Sequence, residues 1–172
     1  IGKLIMFDIL VLTVFPGAVA FAGAMDLFTM KIPNRISIAL VLSFLVVAPL
    51  AGLGLWDIAL HFGAALVVLA ITFGMFLAGW FGGGDAKLLA AIALWLGVDL
   101  LPEYLIAVAL VGGALTIIFT TFRSAPLPLS VVSEGWALRL HDKKTGIPYG
   151  VALAAGALLV YPQTPFFAAM FG

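Results

Sequence analysis

The chain has no cysteine, and only 9% of its 172 residues are charged. Without cysteine there is no disulfide framework, no thiolate metal site and no cysteine nucleophile. No second His or Cys stands at ligand spacing from His61, so neither a metal site nor a cofactor is expected. Eight basic residues balance eight acidic ones, and this neutrality gives no reason to expect nucleic acid as a partner. A soluble domain carries about 25% charged residues, so this chain is short of the polar surface needed to face water. Apolar residues make up 65% of it, which places it in a bilayer as a single domain over residues 1–172.

A membrane-crossing helix needs roughly 20 mostly apolar residues. Charged residues and Gly/Pro clusters divide the sequence into six such spans, near Leu4–Met25, Ile36–Leu53, Trp56–Trp80, Ala86–Leu101, Tyr104–Phe122 and Ile147–Tyr161. Lipid offers the backbone no hydrogen-bond partners, and runs such as Ile38–Leu50 lack the alternation of a barrel strand. The fold class is therefore all-α. The first apolar run has no clean cleavage site and reads as a span rather than a targeting peptide. Because the sequence starts at Ile1 rather than Met, some leading residues are expected to be missing. With both termini outside, the inner connections hold Lys31, Arg35, Lys87, Arg123, Arg139, Lys143 and Lys144, leaving only Lys3 outside. The outer loops hold Asp57, Asp99 and Glu103 and no base. That bias sets both termini on the extracytoplasmic side.

Asp8, Asp57, Asp99 and Glu103 fall where outer loops meet water and read as interfacial residues. His61 stands one helical turn after Asp57, a spacing that predicts a pair. Asp26 and Asp85 differ. They lie at the same, cytoplasmic, face on separate helices and are the only acidic residues there outside the long loop Arg123–Gly146. Two carboxylates at close range share one proton. The ionised member can then activate water while the protonated one polarises a carbonyl, as peptide-bond hydrolysis requires. Gly82, Gly83 and Gly84 precede Asp85 and give the backbone unusual freedom and room for a close-lying chain. The structural alternative is a flexible turn with Asp85 as the N-cap of the next helix. Helix ends suggest that Asp85, at an N-terminus, is the anion and that Asp26, near a C-terminus, holds the proton. In the long loop, Val132, Trp136 and Leu140 recur at helical spacing, consistent with an amphipathic helix at the interface or a solvated connector. Its basic residues are assigned to topology.

Three segments carry a family resemblance. Gly82-x-Gly84-Asp85-x-Lys87-Leu88 matches the GxGD motif of type IV prepilin peptidases, which are membrane aspartyl peptidases. Asp26 followed by Ile32-Pro33-Asn34 resembles that family's first-aspartate segment, and Ile147-Pro148-Tyr149-Gly150-Val151-Ala152 resembles its motif at the start of the last span. The chain looks most like the short branch serving Tad/Flp pilus systems. Cysteine is absent and Leu27–Arg35 is short, so the resemblance implies peptidase activity without methyl transfer. It implies a prepilin or pseudopilin substrate whose short basic leader is cut off at the cytoplasmic face of the bacterial inner membrane. Asp26 and Asp85 would be catalytic. Lys87, Lys31, Pro33, Asn34, Pro148, Tyr149 and Gly150 would support the site with the three glycines, although Lys87 also suits topology anchoring and Pro148 a helix start. Apart from substrate and membrane lipid no partner is implied, and the oligomeric state is left open. An archaeal preflagellin peptidase would use the same chemistry. A transporter or pilus-assembly subunit is the rival from another class, because intramembrane carboxylates also mark ion pathways.

Overall fold

A computed structural model describes residues 2–124 and 135–170, with side chains from Phe7 onward. All regular structure among the described residues is helical: α1 Gly2–Thr29, α2 Asn34–Leu50, α3 Leu55–Leu77, α4 Gly83–Phe122, α5 Gly135–His141, α6 Tyr149–Val160, a 3-10 turn Tyr161–Gln163, and α7 Pro165–Ala168. Helices cover each of the six expected segments. Three are long and apolar enough to cross a membrane (Phe7–Thr29, Leu55–Leu77 and Gly83–Phe122), and Asn34–Leu50 and Tyr149–Gln163 are shorter apolar helices.

The fourth and fifth segments run together as α4, and the break between them differs from expectation. It falls at Gly97 (φ 71°, ψ −178°), whereas the sequence placed it between Leu101 and Tyr104, beside Pro102. Pro102 lies inside the second part of the helix. A helix of 40 residues would be about 60 Å long if straight, roughly twice the hydrocarbon core, so it must turn. Gly97 sits in a backbone region essentially confined to glycine.

The first part of α4 is the centre of the molecule. Ala86 and every residue from Leu88 to Leu96 are buried, as expected of a helix that is apolar on all sides. α4 packs on α2, α3 and α6, while α1 packs on α2 and α6. A cluster of rings locks this core: Phe15 stacks on Tyr161 with centroids 4.5 Å apart, and Trp95 packs at 5.0 Å from Phe166 and 5.1 Å from Phe15. Their polar atoms are satisfied by main-chain oxygens. Trp95 Nε1 donates to Leu40 O at 2.9 Å and Tyr161 Oη to Val11 O at 2.9 Å.

Asp57 and His61 do not pair. Asp57 accepts from the Gly54 N–H at 3.1 Å and so caps the start of α3. His61 Nδ1 lies 2.7 Å from Leu94 O, a carbonyl in the turn before the break at Gly97. The interrupted helix cannot supply the usual partner there, and the imidazole, as the Nδ1–H tautomer, does.

Candidate active site

α1 ends at Thr29 because Met30 turns into the left-handed region (φ 54°), with its N–H still bonded to Asp26 O at 2.8 Å. Such a cap is usually glycine, and a side chain there costs about 1–2 kcal/mol. Pro33 (φ −63°, ψ 134°) then starts α2. The short turn keeps the Asp26 end of α1 beside the start of α2.

Asp26 is 6% exposed. Its Oδ2 accepts the N–H of Gly150 at 2.7 Å, one residue into α6. A Cβ on Gly150 would lie 2.8 Å from Asp26 Cβ and 2.9 Å from Ile32 Cδ1, so only glycine allows this approach. Pro148, the buried N-cap of α6, turns the chain into that helix. The carboxylate of Asp26 therefore meets the N-terminal turn of α6, although its own α1 ends a few residues further on. Asp26 thus lies in the last turn of α1, as expected, and also against the first turn of α6, so the dipole difference expected between the two aspartates is reduced.

Asp85 is half-buried in the first turn of α4. It is not the N-cap. Gly82 holds that position at φ −73°, ψ 137°, without a side-chain cap bond. The glycine run therefore serves differently from expectation. None of its three residues takes a positive φ. What matters is the missing Cβ: at Gly82 it would lie 2.5 Å from Asp85 Oδ2, at Gly83 3.2 Å from the Phe76 ring, and at Gly84 3.2 Å from Ile32 Cβ.

Asp26 and Asp85 line one cavity of about 690 Å³ together with Thr29, Lys31, Pro33 and Asn34 and the three glycines. They lie within electrostatic reach of each other. Lys87 Nζ donates to Asn34 Oδ1 at 3.1 Å, tying the start of α4 to that of α2. Tyr149 is elsewhere: with Gly112 and Thr72 it lines a separate cavity of about 540 Å³. Met25, Met30 and Ile32 also touch the site. Sequence reasoning passed over Met30, since nothing about a methionine at that position signals a left-handed cap.

The long loop contributes more than charge. Within α5, Ala137 and Leu140 are buried, Trp136 meets Phe28 edge-on at 5.6 Å, and Arg139 Nη2 donates to Phe28 O at 2.8 Å. Arg123 bonds Leu140 O at 2.7 Å and Gly146 O at 2.8 Å. Arg139 thus braces the end of α1 that carries Asp26, and Arg123 ties the end of α4 to α5 and the chain after it, roles beyond the topology assigned to them. Val132 and Glu134 lie outside the described residues.

A buried carboxylate held by one backbone donor, facing a second carboxylate across an open cavity, suits proton transfer to and from a bound amide and water. The comparisons with known proteins agree with a peptidase. The model of the type IV leader peptidase family matches residues 13–117, more than half of the chain, and the chain belongs to that family. The match takes in Asp26 and Asp85 and ends before Pro148. The chain is similar to the prepilin leader peptidase/N-methyltransferase of Burkholderia pseudomallei strain 1026b, 33% identical over 87 residues, which cover 50% of this chain and 23% of the relative. The protein of the same name from strain K96243 matches with the same figures. The chain thus spans less than a quarter of the length of the curated relatives it matches. No solved structure matches it.

Proposed function

We propose that this chain is a membrane aspartyl endopeptidase that removes the short basic leader of a prepilin or pseudopilin at the cytoplasmic face of the inner membrane. The observation carrying this reading is that Asp26 and Asp85, brought in by two different helices, share one cavity rimmed by glycines. The relatives' name, prepilin leader peptidase, supports the substrate class. Lys31, Arg35, Lys87 and Arg139 all belong to elements around that cavity, which favours a cytoplasmic position for it. A basic leader would stay on that side while the apolar segment after the cut remained in the bilayer. The proposal covers the hydrolytic half of the relatives' name, in the short form associated with Tad/Flp pili.

In the proposed reaction the dyad holds one proton. The ionised carboxylate takes a proton from water as its oxygen attacks the scissile carbonyl carbon, and the protonated carboxyl gives its proton to the carbonyl oxygen. The tetrahedral intermediate, a gem-diol, then collapses: the C–N bond breaks as the amine nitrogen takes the proton gained from water, one gem-diol hydroxyl gives its proton to the other carboxylate as it becomes a carbonyl, and the dyad again holds one proton. Gly150 holds Asp26 through Oδ2, so Oδ1 is the oxygen left for the reaction. Asp26→Asn and Asp85→Asn should each lower leader cleavage in membranes by roughly 10³-fold or more, while Asp57→Asn stays active, with expression checked by immunoblot. Cleavage that survives loss of either dyad aspartate sinks this mechanism and favours a transporter.

A further inference from the structure

An apolar groove of about 480 Å³ runs between α2, α3 and α4, lined by Ser37 and Ile38, Ala65 and Leu66, and Ala90 and Ala91. Its lining positions recur at helical spacing on all three helices. From Asn34 to Leu42 along α2 the groove is about 12 Å long. One end is polar and is formed by the bonded pair Asn34 and Lys87. Asn34 also lines the cavity that holds Asp26 and Asp85, so the two spaces meet at that side chain. The other large apolar cavity, beside Tyr149, shares no lining residue with the dyad cavity.

We infer that this groove is the bed for the apolar helix of the substrate, seating the segment after the cut while the leader lies in the dyad cavity. The inference rests on the proposed function and adds where the membrane-embedded part of the substrate binds. Two observations select a helix over a lipid chain. Each of the three helices puts a small side chain into the lining, Ser37, Ala65 and Ala90 with Ala91, among larger ones such as Phe62 and Leu94, and small side chains let a helix backbone approach closely; an acyl chain has no such need. The groove also shares Asn34 with the dyad cavity at the start of α2, the level at which a helix leaving the cut must begin. Lys87, held by Asn34, marks that junction.

Two synthetic peptides test this with the full chain in proteoliposomes. One carries a basic leader, the cleavage site and an apolar helix of about 20 residues; the other stops a few residues after the site. Ala65→Trp, which fills the groove, should raise KM for the long peptide by roughly tenfold, about what losing one buried apolar contact costs, and leave the short peptide unchanged. Ala109→Trp, in the cavity beside Tyr149, should change neither. Because the chain has no cysteine, Ile38→Cys and Ala65→Cys should cross-link to a cysteine placed early in the apolar helix, and Ala109→Cys should not. Equal effects of Ala65→Trp on both peptides, no effect on either, or cross-links from Ala109→Cys would overturn the groove while leaving the peptidase intact. A wild type that cleaves neither peptide removes the proposed function itself, and the groove with it.

Discussion

The two ends of the helix bundle hold similar side chains put to different uses. At one end Asp26 and Asp85 face a cavity with the glycines around them. At the other, Asp57, His61, Gly97 and Asp99 line a cavity of about 410 Å³. There the polar groups serve the fold: Asp57 caps α3, His61 holds the carbonyl of Leu94, and Glu103 accepts from Gln163 Nε2 at 2.7 Å. At the dyad end Asp26 meets a single backbone donor and Asp85 forms no cap bond. The glycines differ in the same way. Gly97 is needed for its backbone angle and also for space, since a Cβ there would lie 2.9 Å from the His61 ring, whereas Gly82 and Gly150 are needed for space alone. What sets the Asp26 end apart is that two carboxylates from different helices line one cavity, one of them buried.

Single substitutions can break this contrast, and the dyad variants above carry the largest expected effect. Next comes Gly82→Ala. Its backbone conformation is open to any residue, so folding should survive, but the new Cβ displaces Asp85 Oδ2. Because a misplacement of about 1 Å can cost roughly 100-fold, cleavage should fall on that order with an unchanged thermal midpoint. A large drop in the midpoint would show that Gly82 is structural instead. Gly97→Ala should do the reverse, destabilising the fold by roughly 1–3 kcal/mol, read as a lower midpoint in detergent, while the protein that remains folded keeps its specific activity. His61→Phe keeps the ring beside Phe44 and Phe166 and leaves Leu94 O without its partner, for about 1–3 kcal/mol at most. Asp57→Asn retains an oxygen for the Gly54 N–H and should stay within about 0.5 kcal/mol of wild type. If Asp57→Asn proved as damaging to cleavage as Asp85→Asn, the division between the two ends would fail.

Much of the site could be read without coordinates, because its signals are local. Gly82-Gly83-Gly84-Asp85 and Ile32-Pro33-Asn34 mark helix starts by chain chemistry alone, and the scarcity of charge inside the apolar runs left few candidates for catalysis. Two of the errors share one cause, which is that a partner distant in sequence was invisible. His61 was matched to Asp57 on its own helix when Leu94 O, across the bundle, had lost its normal donor. Asp26 was assigned the dipole of α1 when its carboxylate also meets α6. The break placed between Leu101 and Tyr104 falls instead at Gly97, a local misplacement. Tyr149, next to Gly150 in the sequence, faces another cavity, since successive helix positions point about 100° apart.

By itself the sequence determined that this chain is helical and membrane-embedded and which aspartates to consider, because composition, apolar run length and helix-start residues act within a few neighbours. Only the tertiary structure decided that Gly150 holds Asp26, that the motif glycines supply space rather than flexibility, and that an apolar groove and the dyad cavity share Asn34. Those facts depend on which backbone approaches which, and that is settled by the packing of whole helices around α4.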